Sequence, residues 1–179
     1  MKHLVIGGVR SGKSAFAQTL VQNYSQRIIG KNQPAVVYLA TAQALDASME
    51  ERIENHKKNR PSEWVLIEET IDIASVLLNP TFQKSTILIE CMTLWLTNLL
   101  CLNNENSRQL GNTKLAFLQA LEKTHANVVI VTSEVGLGVM PMNAMARDFA
   151  DQTGELNQTL ARLCDKVTLV TAGLPLALK

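Results

Sequence analysis

The chain has 179 residues, 46% of them hydrophobic, which indicates one globular domain over residues 1–179 with a full hydrophobic core. Its 17 Lys and Arg residues nearly balance its 16 Asp and Glu residues, and a formal charge of +1 argues against nucleic acid as a partner. Three cysteines without paired spacing argue against a disulfide framework or a zinc site, so a reducing, cytoplasmic compartment is expected. We expect neither a secretory signal nor a membrane span, because no apolar stretch is long enough for either.

Short apolar runs alternate with helical patterns along the chain. Apolar runs of this kind belong in a sheet that is covered on both faces. The alternation predicts an α/β fold with a mostly parallel sheet and helices on both faces, and ligands of such a sheet bind at the carboxyl ends of its strands. The predicted strands are Leu4–Ile6, Val36–Leu39, Trp64–Ile67, Ile87–Ile89, Val128–Val131 and Val167–Val170. The predicted helices are Ala15–Tyr24, Ala47–Asn59, Ile73–Leu78, Leu94–Leu102, Asn112–Thr124 and Ala144–Leu163.

The segment Gly7–Ser14 reads Gly-Gly-Val-Arg-Ser-Gly-Lys-Ser and matches the phosphate-binding loop pattern in full. Glycine lets backbone N–H groups point at phosphate oxygens, and the start of the following helix adds partial positive charge. Lys13 is expected to reach the β- and γ-phosphates, and Ser14 to ligate Mg²⁺. The alternative, a glycine-rich turn that matches by chance, is disfavoured by the predicted strand and helix on either side. The predicted fold is therefore a RecA-like P-loop NTPase.

Two further residues are candidates for chemistry. Glu90 ends the apolar run 86–89, where a carboxylate can hold Mg²⁺ directly or through water, although a solvated strand-end glutamate is the alternative. His56 lies one helical turn after Arg52 and one turn before Arg60, and such cations would attract phosphates and keep the imidazole neutral. Its helical spacing alone favours a packed or surface histidine.

Several blocks, taken together and in order, resemble one known family. They are Gly7–Ser14, Ala40-Thr41-Ala42, Arg52-Ile53-x-x-His56, Arg60-Pro61-x-x-Trp64, Glu90-Cys91-x-Thr93, Asn98-Leu99, Val131-Thr132-x-Glu134-Val135-Gly136-x-Gly138, Ala146-Arg147-x-Phe149, Gly154 and Asn157-Gln158. In this set the chain resembles the bifunctional adenosylcobinamide kinase/adenosylcobinamide-phosphate guanylyltransferases. The resemblance implies that ATP or GTP phosphorylates adenosylcobinamide. GMP is then transferred from GTP to adenosylcobinamide phosphate through a guanylyl-histidine, which gives adenosylcobinamide-GDP in cobalamin biosynthesis. A homotrimer is also implied.

The resemblance assigns roles to individual residues. His56 becomes the nucleophile, Lys13 is the second catalytic residue, and Ser14 and Glu90 are the Mg²⁺ ligands. The implied nucleotide-binding residues are Gly7, Gly8, Val9, Arg10, Ser11, Gly12, Lys13, Ser14, Ala40, Thr41, Ala42, Lys57, Lys58, Asn59, Arg60, Glu68 and Glu90. The rival interpretations are a monofunctional P-loop small-molecule kinase with a structural His56, and a non-catalytic nucleotide-binding regulator.

The chain departs from the family pattern in the region that the resemblance implies faces the corrinoid. Asp148 and Ala150 stand where a second basic residue is frequent, and Met142 follows Pro141 where an acid is frequent. These departures concern binding of the corrinoid, and they leave the nucleotide chemistry unaffected.

Overall fold

The computed structural model describes residues 1–25, 36–43, 61–102, 107–139 and 141–179. The strands in these segments are β1 (Lys2–Gly7), β2 (Val36–Ala40), β3 (Val65–Glu68), β4 (Thr86–Glu90), β5 (Asn127–Ser133), β6 (Lys166–Thr171) and β7 (Leu174–Ala177). The helices are α1 (Lys13–Ser25), α2 (Ile73–Leu78), α3 (Met92–Leu102), α4 (Ser107–Lys123) and α5 (Ala144–Leu163), with a 3-10 turn at Pro80–Phe82.

The strands form one sheet in the order β3-β2-β4-β5-β1-β6-β7. Every neighbouring pair is parallel except β6 and β7, which are antiparallel. This arrangement confirms the predicted α/β fold with a mostly parallel sheet. Among the described helices, none has both the length and the apolar character that a membrane crossing requires.

Helices cover both faces of the sheet because alternate residues of each buried strand point to opposite sides. On one face, Ala17 and Val21 of α1 pack in a cluster that includes Val129 of β5. On the other face, α2 to α5 pack in a larger cluster that includes Val128 and Ile130 of the same strand. The continuous apolar character of the strands therefore reflects burial on both sides.

Some element boundaries differ from those predicted. Helix α4 begins at Ser107 rather than at Asn112. The helix continues through Gly111, although glycine is a weak helix former. Strand β7 was not predicted, since all four of its residues are exposed and show no burial pattern. The predicted helix Ala47–Asn59 lies outside the described residues.

A buried histidine joins strands β1 and β6 to helix α1. The ring of His3 on β1 is hydrogen-bonded through Nδ1 to the Tyr24 hydroxyl of α1 at 3.0 Å and through Nε2 to Thr168 Oγ1 of β6 at 2.8 Å. Burial lowers the pKa of the His3 imidazole below its ordinary value of 6.5, and the positive charge of Lys166 lowers it further. The folded chain therefore favours the neutral ring.

This lowered pKa predicts that the protein loses stability on mild acidification. Below pH 6.5 the unfolded chain binds a proton at His3 more readily than the folded chain does. The His3 contribution is thus complete above pH 6.5 and is lost as the pH falls towards the lower pKa of the folded state. Urea unfolding at about pH 7 and at about pH 5.5 should show this loss in the wild type. His3→Gln should show a smaller pH dependence, and an equal dependence in both proteins would contradict the assignment.

Candidate functional site

The strand register brings the predicted site residues to one edge of the sheet. Gly7 at the end of β1 pairs with Ser133 at the end of β5. At the end of β2, Ala40 pairs with both Glu90 of β4 and Glu68 of β3. Because these are the carboxyl ends of parallel strands, the phosphate-loop motif and the two acids share the edge where such sheets bind ligands.

The backbone of the loop between β1 and α1 forms a tight turn that leads into the helix. Ser11 N–H donates to the Gly8 carbonyl at 3.3 Å, and Phe16 N–H donates to the Gly12 carbonyl at 3.1 Å, which starts the helix. Gly12 has a φ of 92°, a value that favours glycine, and Arg10 has a φ of 56°. Gly7 is needed for a different reason, because a Cβ there would lie 2.4 Å from the Val170 carbonyl oxygen of β6.

The first two residues of α1 carry the side chains that the motif assigns to phosphate and metal. Lys13 Nζ donates to the Gly8 carbonyl at 3.2 Å, so the ammonium group folds back over the loop. The Ser14 hydroxyl donates to Oε1 of Glu90, although β5 lies between β1 and β4 in the sheet. The structure thus brings Ser14 and Glu90 into direct contact.

A hydroxyl beside a carboxylate is a donor set that suits Mg²⁺, which prefers hard oxygen ligands. Mg²⁺ is commonly held by one or two such protein groups together with the phosphates of a substrate. The pair Ser14 and Glu90, at the mouth of the phosphate loop, fits this pattern.

Buried polar side chains hold the neighbouring strand ends. The Thr41 side chain is buried and its hydroxyl donates to the Cys91 carbonyl at 2.8 Å, while its N–H donates to the Glu90 carbonyl at 3.0 Å. Asn98 of α3 donates to the carbonyls of Thr41 at 2.7 Å and Thr70 at 3.1 Å. Thr41, predicted to bind nucleotide, therefore uses its side chain to join β2 to β4.

The end of β5 is held in the same way. Ser133 N–H donates to Thr93 Oγ1 at 2.8 Å, and Asn157 of α5 donates to the Ser133 carbonyl at 3.2 Å. The Thr132 hydroxyl donates to Asn157 at 2.8 Å. Asn98, Thr93 and Asn157 had no assigned role from the sequence, although each belongs to a block of the family resemblance. A buried amide or hydroxyl on an apolar helix face is the local signal that points to them.

Cys91 follows Glu90 directly, and its thiol is poorly suited to act as a nucleophile. Burial raises the pKa of the Cys91 thiol, and the neighbouring Glu90 carboxylate raises it further. The thiol is therefore neutral at physiological pH, and a thiol rather than a thiolate is a poor nucleophile.

Exposed apolar side chains lie in the chain that follows the end of β5. Glu134 N–H donates to the Gly7 carbonyl at 3.1 Å, which ties the start of this segment to the phosphate loop. Beyond it the exposed fractions are 81% for Leu137, 98% for Met142 and 79% for Met145. We call these three residues the apolar rim.

The remaining predicted site residues divide into three groups. Gly8, Val9 and Glu68 are exposed, and Ala42, directly after Thr41, is half-buried. His56, Lys57, Lys58, Asn59 and Arg60 lie outside the described residues.

Comparison with known proteins gives matches along the whole chain. The family model for cobinamide kinase / cobinamide phosphate guanyltransferase matches residues 3–178. The chain is 37% identical over 179 residues to the bifunctional adenosylcobalamin biosynthesis protein CobP of Pseudomonas aeruginosa, covering 100% of this chain and 98% of that protein. It is 36% identical to the bifunctional adenosylcobalamin biosynthesis protein CobU of Salmonella typhimurium and 34% identical to CobU of Escherichia coli, each over 190 residues and 100% of both chains.

The two adjacent glycines of the loop predict a matched pair of substitutions. Gly7→Ala should lower the free energy of unfolding by about 1–3 kcal/mol, because its Cβ would overlap the Val170 carbonyl oxygen. Gly8→Ala should change it by less than about 0.5 kcal/mol, because a Cβ at Gly8 meets no atom within 4 Å. Urea unfolding of both variants measures the difference, and equal losses would show that Gly7 is not fixed by contact with β6.

Proposed function

Because the chain belongs to the cobinamide kinase / cobinamide phosphate guanyltransferase family, we propose that it catalyses both reactions for which the family is named. The first reaction transfers the γ-phosphoryl group of ATP or GTP to the hydroxyl of adenosylcobinamide. The second joins GMP from GTP to adenosylcobinamide phosphate and releases pyrophosphate. The observation that carries this proposal is the contact of Ser14 with Glu90 beside the Gly7–Ser14 loop.

In the kinase reaction, the loop would bind the phosphates of the nucleotide through its backbone N–H groups. The Lys13 ammonium contacts only the neutral Gly8 carbonyl among the hydrogen bonds described, so it can turn towards a phosphate without breaking an ion pair. Its charge would offset the negative charge on the oxygens of the transferring phosphoryl group. Ser14 and Glu90 would hold Mg²⁺, which neutralises phosphate charge when bound.

In the guanylyl transfer, His56 would be the nucleophile. A lone pair of its neutral imidazole attacks the α-phosphorus of GTP, and the bond to the bridging oxygen breaks as pyrophosphate leaves. An oxygen of adenosylcobinamide phosphate then attacks the same phosphorus, and the P–N bond breaks to regenerate the imidazole. This assignment rests on the family resemblance and on the cations Arg52 and Arg60 at helical spacing around His56.

The covalent route suits a bulky acceptor. Once GMP is held on the histidine, pyrophosphate can leave before the corrinoid phosphate enters. We place the corrinoid on the apolar rim, because the chain that carries these side chains starts at Glu134, whose N–H donates to the Gly7 carbonyl of the phosphate loop. A broad macrocycle that carries many methyl groups would cover exposed Leu and Met side chains.

We further propose that the protein is a cytoplasmic homotrimer. The resemblance to the family supports the trimer. The three cysteines are odd in number and are not spaced as pairs in the sequence, which supports a reducing compartment.

The two reactions predict that His56→Ala separates them. The variant should no longer retain radiolabel from α-labelled GTP, because the nucleophilic nitrogen is lost. Kinase turnover should persist at least in part, since Lys13, Ser14 and Glu90 are unchanged. In the wild type the label should be acid-labile and base-stable, as a P–N bond requires. Trapping on denatured protein measures the adduct, and phosphate transfer from γ-labelled GTP measures the kinase reaction.

Lys13→Ala is the control for the kinase arm of this experiment. It should lower kinase turnover by on the order of 10²-fold or more while the chain stays folded. Full labelling of His56→Ala would refute the histidine assignment. If the wild type retains no label from α-labelled GTP despite kinase turnover, the chain would be a monofunctional kinase.

The position of the corrinoid predicts a selective loss of acceptor affinity. Leu137→Ser combined with Met145→Ser should raise the KM for adenosylcobinamide severalfold, because apolar contact area is removed. Labelling by GTP alone should be unchanged. Leu178→Ser is the matched control, since Leu178 is also exposed, at 58%, but follows β7 at the opposite edge of the sheet. Equal KM values for the double variant and the control would place the corrinoid elsewhere.

A further inference from the structure

The turn between β6 and β7 has a conformation that only a few residues accept. Ala172 and Gly173 have φ angles of 50° and 79°, both in the left-handed region. They lie between Thr171 and Leu174, which pair with each other in the antiparallel ladder. Two successive left-handed residues are typical of a type I′ hairpin turn. We call Ala172–Gly173 the β6–β7 turn.

This turn contacts the phosphate loop through backbone atoms. The Gly173 N–H donates to the Ser11 carbonyl at 2.8 Å. A Cβ on Gly12 would lie 3.1 Å from Gly173 Cα, so the two backbones are close packed. The contact falls on the two loop residues that directly precede Lys13.

The hydrogen bond to Ser11 has a consequence for the next N–H group. In a planar trans peptide the carbonyl and the following N–H point in opposite directions. Because the turn holds the Ser11 carbonyl on its own side, the Gly12 N–H points away from the turn. Gly12 is exposed, and among the described residues no backbone carbonyl accepts a hydrogen bond from its N–H. The group is thus oriented and open to an anion.

We propose that the β6–β7 turn is a positioning element of the phosphate loop, in which the Gly173 N–H fixes the Ser11–Gly12 peptide so that the Gly12 N–H binds a phosphate oxygen of the nucleotide. The proposal rests on the proposed role of Gly7–Ser14 in nucleotide binding. Gly173 acts through another residue, because its N–H contacts a protein carbonyl and not the substrate. In this proposal the exposed hairpin formed by β6 and β7 has a role at the phosphate loop.

An amide-to-ester substitution tests the proposal without changing a side chain. The peptide bond before Cys164 is a ligation junction, so a synthetic segment 164–179 can be joined to residues 1–163. Glycolic acid in place of Gly173 replaces the donor N–H with an oxygen. After refolding of the full chain, we expect MgGTP and inorganic tripolyphosphate each to bind about fivefold more weakly, the equivalent of one hydrogen bond.

The matched control removes a similar hydrogen bond from the same hairpin. Leu178 N–H donates to the Val167 carbonyl at 2.8 Å, near the opposite edge of the sheet. Leucic acid in place of Leu178 should lower the unfolding temperature as the ester at 173 does, but change MgGTP affinity by less than about twofold. Equal MgGTP affinities of the two ester proteins would overturn the proposal. A ligated wild-type chain that does not bind MgGTP would instead overturn the nucleotide-binding role of the loop, and the proposal with it.

Recombinant variants give the same test if the ester proteins do not refold. Gly173→Val forces a β-branched residue to a φ of 79°, so the turn must move, whereas Ala172→Gly keeps a φ of 50° accessible. At a temperature where both are folded, Gly173→Val should weaken MgGTP binding by about fivefold or more and Ala172→Gly by less than about twofold. Equal affinities in this pair would also overturn the proposal.

Discussion

The hydrogen bond from the Ser14 hydroxyl to the Glu90 carboxylate is the interaction on which the site depends. It joins the first turn of α1 to the end of β4, across the intervening strand β5. The bond is possible because parallel pairing aligns the carboxyl ends of these strands at one edge. A hydroxyl and a carboxylate held together in this way would supply the protein ligands of the proposed magnesium–nucleotide site.

Hydrogen bonds at the same edge of the sheet hold the backbone around Ser14 and Glu90. Asn98 and Asn157, on two different helices, donate to the backbone carbonyls at the ends of β2 and β5. The β6–β7 turn donates to the phosphate loop from the other side. Buried amide groups must keep their hydrogen bonds. Asn98 and Asn157 therefore restrict the positions of the strand ends more than apolar contacts would. The described strand ends at this edge are therefore held by hydrogen bonds within the protein itself.

Much of this architecture could be predicted from the sequence because it is local. The spacing of Gly7–Ser14 and the acid after an apolar run are short-range patterns, and the parallel-sheet rule places both at one edge. Strand order is not local, so the sequence did not show that Ser14 would touch Glu90. Strand β7 escaped prediction because its exposed residues have no burial pattern, and the buried role of Thr41 depends on Cys91, 50 residues away in the chain. The role of His56 rests on the family resemblance.

A double-mutant cycle shows whether Ser14 and Glu90 hold one shared metal ion. The affinity for GTP is measured with Mg²⁺ and with the metal chelated, for the wild type, Ser14→Ala, Glu90→Gln and the double variant. If the pair holds the metal, the two substitutions should be non-additive by about 1 kcal/mol or more with Mg²⁺, because either one disrupts the same ligand set. Without metal the coupling should largely disappear. Additive losses with Mg²⁺, or the same coupling in its absence, would show that Ser14 and Glu90 do not hold a shared metal ion.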